Sequence, residues 1–88
     1  MQKETLEKEG FPIVYDWFDE PDTHYPSHKH QGKVSFYVTE GSVAFSGGIN
    51  RIVATGERLD VPVGVEHSAV VGPDGCRYVV GQEIATDA

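Results

Sequence analysis

The sequence predicts a single all-β domain, and three observations carry that expectation. Ten glycines and five prolines cut the chain into short pieces. Between them lie runs rich in Val, Ile, Tyr and Phe, bounded by Gly, Pro and Asp, which is the pattern of many short antiparallel strands. The length of 88 residues is enough for one small domain. A chain of that size buries only roughly 60–65% of the surface its unfolded form exposes, so its core is modest and pairing into a homodimer is expected.

Taken in order, residues 3–9, "KETLEKE", are the only stretch of helical composition, closed by Gly10 and Pro12. Thr5 and Lys8 do not make a capping box, so a short, frayed helical arm is expected. Strand candidates follow at "PIVYDWF", "KVSFYVT", "SVAF", "RIVA", "RLDV", "SAVV" and "RYVVG", with "PDG" before Cys76 read as a turn. Alternation places Val34, Phe36 and Val38 on one face, expected to be the core face. Leu59, Val61, Val63, Val65, His67, Ala69 and Val71 share a second parity, broken partway by Pro62 and Gly64. His67 therefore falls in an apolar series, where an unpartnered polar group would cost roughly 1–3 kcal/mol.

Charge and composition exclude several classes of function. Seven basic residues stand against 14 acidic ones, a formal charge of −7, and no Lys/Arg stripe is present to neutralise phosphates. Neither nucleic acid nor an anionic membrane is expected as a partner. The N-terminus, "MQKETLEKEGFP", lacks the apolar core of a secretory signal, and no apolar run approaches the roughly 18 residues of a membrane span. A soluble cytoplasmic protein is the expectation. Cys76 is the single cysteine, which excludes an internal disulfide and a cysteine-only zinc site. Any metal must therefore be held mainly by His and carboxylates.

"HYPSHKH", residues 24–30, holds three of the four histidines. His28 and His30 lie two apart, a spacing that in an extended strand puts both on one face about 6.6–7 Å apart, within reach of one ion. His24 lies four residues before His28, about 13 Å away along a straight strand, and would join them only if Pro26 bends the chain.

"GERLDVPVGVEH", residues 56–67, reads Gly56, five residues, Pro62, one, Gly64, two, His67. This resembles the second motif of the cupin superfamily, which continues with three residues and an Asn; Val71 stands at that last place. The first cupin motif is matched by His28, His30 and Gly41, while Asp22 stands at its leading Gly and Val34 at its Glu ligand. Together the matches cover residues 24–82. The resemblance implies a small single-domain cupin of the conserved-barrel kind, an antiparallel double-stranded β-helix or jelly roll. It divides the chain into an N-terminal arm with a first strand (1–23), the barrel (24–84) and a C-terminal tail (85–88). It also implies that the two motifs lie side by side inside the barrel, bringing His67 to His28 and His30.

Three imidazoles without a carboxylate suit softer divalent transition metals, in the order Zn, Ni, Cu, Fe(II), more than Mg or Ca. Cupins with three His and no Glu ligand include dioxygenases, so the resemblance implies a metalloprotein acting on a small molecule, with oxygenase-type chemistry as the enzymatic reading. The alternatives are a non-catalytic binder of a metal or small ligand (a sensor, carrier or accessory protein) and a cupin that has lost its metal. Metal ligands are expected at His28, His30 and His67, with His24 as a candidate fourth; no catalytic residue is assigned. Tyr25, Tyr78, Arg77 and Arg51 are residue types able to anchor a substrate, but each is expected to face outward. Cys76 is expected as a small buried hydrophobe, and Trp17 at a barrel edge or dimer contact.

Overall fold

Seven elements follow one another in the computed structural model, which describes residues 2–84: α1 (Gln2–Lys8), β1 (Ile13–Asp19), β2 (His24–His28), β3 (Val34–Gly47), β4 (Arg51–Ala54), β5 (Arg58–Val61) and β6 (His67–Gln82). The expected tail at 85–88 lies outside the described residues. The strands are antiparallel, and the two long ones, β3 and β6, pair with each other along most of their length. Residues 34–37 of β3 pair with β5 on one side and residues 79–82 of β6 on the other, and β1 closes that layer against residues 76–82. Residues 42–45 of β3 pair with β4, and residues 67–70 of β6 pair with β2. Two four-stranded layers thus share β3 and β6, which is the double-stranded β-helix the sequence predicts.

Two expected breaks turn out to be bends within continuous strands. "KVSFYVT" and "SVAF" join as β3, and "SAVV" and "RYVVG" join as β6, running straight through the expected "PDG" turn. The crossing point explains this: Gly41 lies opposite Cys76, with register shifts on either side of it, and both Gly41 (φ 81°) and Gly75 (φ 77°) adopt left-handed backbone. A β-carbon at Gly41 would fall onto the Gly75 carbonyl oxygen. The two strands bend together here and pass from one layer to the other.

The core between the layers is built by Val34, Phe36, Val38 and Val43 of β3, Leu59 and Val61 of β5, and Ala69 and Val71 of β6. Each fully buried Val, Leu or Phe is worth roughly 1.5–3 kcal/mol. Val63 departs from its expected parity. It is 52% exposed, because residues 62–66 form a turn and not a strand, and alternation resumes only at His67.

The helical arm is also better anchored than its composition suggests. Leu6 is fully buried, and Arg58 clasps the chain just after α1. Its Nη1 and Nη2 donate to Glu9 Oε2 and Oε1 at 2.7 and 2.6 Å, and Nε donates to Asp60 Oδ1 at 2.8 Å. Nη1 also donates to Tyr37 Oη at 2.9 Å, beneath a guanidinium seated over that ring. The Arg58 hydrogen bonds hold the Glu9 carboxyl below its ordinary range. Asp60 is lowered first by the Ser35 hydroxyl, then by Arg58.

Candidate metal centre and its cavity

β2 and β6 position two of the histidines by register alone. His28, the last residue of β2, has His67, the first residue of β6, as its partner across the ladder, and their ring centroids lie 4.6 Å apart. His30 arrives by a different route from the one expected. The register shifts between Tyr25 and His28, around Pro26, which has no N–H to give the ladder; the strand ends at His28, so His30 sits in the loop beyond it. There the His30 carbonyl accepts the Gly64 N–H at 2.9 Å, which ties the first histidine segment to the glycine of the second. The His30 ring lies 5.0 Å from His28 and 5.3 Å from His67.

These three side chains form the cluster: one ring nitrogen of each lies within 4.8 Å of the others. Small side-chain rotations bring such atoms to the roughly 3.3 Å spacing of nitrogens around a tetrahedral ion with bonds of about 2.0 Å. His24 stays outside the cluster. It is exposed at the far end of β2, opposite Val70, because Pro26 does not turn the strand back toward the ring cluster.

The rings are prepared for coordination by their other nitrogen. His28 Nδ1 lies 2.8 Å from the Pro26 carbonyl oxygen and His67 Nδ1 lies 3.0 Å from that of Val65. A carbonyl only accepts, so each Nδ1 carries a proton, which leaves Nε2 as the ring atom able to offer a lone pair to a metal. His67 is 1% exposed. Burial, and then the nearness of His28 and His30, hold its pKa below the ordinary value, against an opposing effect of the Val65 carbonyl. Burial thus favours the neutral form of this polar residue in an apolar series, the form a metal requires. The donor set fits a transition metal that prefers imidazole; Val34, at the family's Glu position, adds an apolar wall.

The cluster opens into a cavity of about 540 Å³ inside the barrel, within the usual range for small-molecule sites. Its walls are mostly aromatic and aliphatic, with Tyr15, Trp17 and Asp19 of β1 and Tyr78 and Gln82 of β6 among them. Asp19 is buried, and its Oδ1 accepts from Tyr25 Oη at 2.6 Å and from Trp17 Nε1 at 2.9 Å. Burial, and then Asp19, push the Tyr25 phenol up to about 12. Tyr78 is raised further, chiefly by burial and then by the Cys76 thiol.

Tyr25 and Tyr78 therefore face inward, contrary to expectation, because each shares its face of the strand with cavity residues. Arg51 and Arg77 face out, beside Glu57 and Glu40 respectively. Cys76 is buried as expected, and Trp17 lies at the cavity edge. Sequence reasoning missed Tyr15, Asp19 and Gln82. The alternation of Tyr15, Trp17 and Asp19 was the available signal for the first two.

Solved structures similar in fold to this chain include cupins. A cupin resembling RmlC from Shewanella frigidimarina superimposes with a TM-score of 0.70 at 21% identity, over 85% of this chain and 68% of that one. The chain has the cupin fold. The polyketide cyclase RemF from Streptomyces resistomycificus is similar at 30% identity and a TM-score of 0.67, over 82% of this chain and 54% of RemF, so this chain spans about half the length of that protein. Oxalate decarboxylase from Bacillus subtilis matches with a TM-score of 0.70 at 16% identity, over 85% of this chain and 21% of its own. No family model and no curated protein matches this chain by sequence. One motif departure has a structural account: Asp22, at the first motif's leading Gly, takes the left-handed backbone (φ 62°) that Gly would supply and that Asp tolerates better than most residues. No helix among the described residues is long and apolar enough to cross a membrane.

Proposed function

We propose that this cupin binds a divalent transition metal through Nε2 of His28 and His67 and a ring nitrogen of His30, and acts as a metal-dependent enzyme on a small molecule held in the cavity. The observation that carries the reading is the convergence of three imidazoles at the wall of an apolar cavity, with the Nδ1 protons of two of them held by backbone carbonyls. Zn, Ni, Cu and Fe(II) suit the all-nitrogen donor set. When bound, such an ion supplies open coordination positions that polarise an oxygen of the substrate and, for iron, allow oxygenase-type chemistry. The protein's own residues do the rest. Phe36, Phe45 and Val43 exclude water, Tyr25 and Tyr78 stay protonated and orient polar groups, and Pro26 and Val65 fix the histidine tautomers. The similarity to a polyketide cyclase and to an oxalate decarboxylase supports an enzyme. The sequence reading of a cytoplasmic homodimer is carried with this proposal.

One observation favours a second reading, a non-catalytic ligand binder. Asp19 is the one carboxylate lining the cavity among the described residues, and its Oδ1 already takes hydrogen bonds from Tyr25 and Trp17, which suits a structural group better than a general base. Elemental analysis after reconstitution with Fe(II), Zn, Ni and Cu, beside His67→Ala, tests the metal. About one equivalent in the native protein and none in the variant is the expected result, and no uptake of any of the four would end the metal reading. Dioxygen consumption by the iron-loaded protein, screened over thiols and diketones, then separates oxygenase from binder.

A further inference from the structure

We infer that the cavity selects an uncharged, ring-containing small molecule, and that it discriminates against ligands carrying a carboxylate, sulfonate or phosphate away from the histidine end. The inference rests on the reading that the barrel holds a small molecule, and it does not depend on the metal.

The placement of charge argues for it first. All seven Lys and Arg residues lie among the described residues, and none of them lines the cavity. Four are engaged elsewhere: Lys3 with Asp16, Arg51 with Glu57, Arg58 with Glu9 and Asp60, and Arg77 with Glu40 and over the Phe18 ring. An anionic group entering the barrel would lose its hydration with no Lys or Arg in the lining to replace it, which is unfavourable for an unpaired ion. It would also meet the Asp19 carboxyl group, which lines the cavity and already takes hydrogen bonds from Tyr25 and Trp17. The three histidines stand together at one end of the cavity, so any positive charge there, including that of a bound ion, would be confined to that end. The formal charge of −7 opposes the approach of anions from solution as well.

The shape and chemistry of the walls argue for the ring. Phe36, Phe45 and Tyr78 line the cavity along with Tyr15, Trp17 and Tyr25. Their rings pack against one another at an angle, Phe36 with Tyr78 edge to face at 5.4 Å and Tyr15 with Trp17 at 6.4 Å, so both faces and edges are offered to an aromatic guest. A volume of about 540 Å³ accommodates a compound of two or three fused rings. Tyr25 and Trp17 have their protons committed to Asp19, so polar recognition by this group is directed to a ligand hydroxyl, which the Tyr25 oxygen can accept.

The test compares 1-naphthol with 1-naphthol-5-sulfonate, which keeps the same ring and hydroxyl and adds a charge at the far end. Each is titrated into metal-free and zinc-loaded protein and followed by amide chemical shifts, together with the Trp17 indole N–H. The expected result is saturable shifts at Ala69, Val80 and Trp17 with naphthol in both forms, and binding of the sulfonate weaker by about tenfold or more. Ala69→Leu, which fills the cavity, should weaken naphthol by about tenfold, while Ile52→Ser on the outside should leave it unchanged. The wild-type titration decides the matter if Ala69→Leu does not fold. Equal or tighter binding of the sulfonate, shifts confined to outer residues such as Ile52 and Val70, or no saturable shift with naphthol would each overturn the inference. Zinc binding is measured separately by calorimetry. Naphthol bound without zinc uptake would end the metal reading and leave the ligand class standing, and zinc uptake without naphthol binding would do the reverse.

Discussion

His28 and His67 face each other across the β2–β6 ladder with ring centroids 4.6 Å apart, and each has its Nδ1 at the carbonyl of the residue two positions before it, Pro26 and Val65 respectively. The same local device thus sets the tautomer on both strands. It directs both Nε2 lone pairs away from the backbone, and His30, delivered by the loop whose carbonyl is held by Gly64, completes the cluster.

Metal affinity should therefore depend on three histidines and be indifferent to the fourth. His28→Ala or His67→Ala is expected to lower zinc affinity by more than the roughly 10–100-fold that follows loss of an outer hydrogen-bond partner. His24→Ala, exposed at the other end of β2, should leave affinity within about twofold, since it adds no ligand. Competition titration against a chromogenic chelator reads both. A His24→Ala loss as large as that of His67→Ala would mean a different ligand set.

The metal-free protein should be acid-sensitive through His67. Its folded pKa lies below the ordinary value because burial disfavours the charged ring. The unfolded chain therefore takes up a proton more readily than the folded one as the pH falls. The stabilisation is present above the unfolded value of about 6.5 and is lost as the pH drops through the lower, folded value. Urea midpoints between pH 8 and 5 should fall for the native chain and fall less for His67→Gln. Zinc should flatten the curve above pH 6, because binding holds the ring deprotonated. Equal slopes in the native protein and His67→Gln would remove His67 as the cause.

How far the sequence could be read follows from what each signal measures. β4 and β5 were legible to the residue, because "RIVA" and "RLDV" are bounded by residues that stop a strand on both sides. The union of two runs into β6 was not, since "PDG" has turn chemistry and only the facing Gly41 converts it into a bend. His28 and His67 were legible as motif residues, and their pairing follows from register. Tyr25 and Tyr78 were expected to face outward and Asp19 was not placed at all, because parity shows that two residues share a face and does not show which face lines the cavity. The Arg58 clasp spans 49 residues to Glu9, a separation at which local patterning carries no information.

Gly41→Ala should damage the whole barrel. The position has φ 81° and its β-carbon would meet the Gly75 carbonyl oxygen, so strain and overlap act together at the point where β3 and β6 both bend. A loss of at least about 2–3 kcal/mol is expected by chemical denaturation. Gly56→Ala has the same unfavourable backbone sign, but its β-carbon meets nothing within 4 Å. It should cost only about 1 kcal/mol. If the two substitutions proved equal, close approach would not be the reason for Gly41.

Val34→Glu tests what the missing carboxylate does. Val34 is 8% exposed and lines the same cavity as the three histidines, at the place where the first cupin motif carries its Glu ligand. Without metal, the new carboxyl is a buried polar group with no cationic partner in the cavity lining, and a stability loss of about 2–4 kcal/mol is expected by denaturation. With metal, it adds an oxygen donor and a negative charge to an all-nitrogen set. The preference should then move toward harder ions, with Mn(II) gaining affinity relative to Cu(II). Calorimetric titration of both ions into the native and Val34→Glu proteins measures that ratio. A destabilised variant with a rising Mn(II)/Cu(II) affinity ratio would place residue 34 beside the ion. A stability loss with no change in the ratio would mean that the ion sits beyond the reach of residue 34.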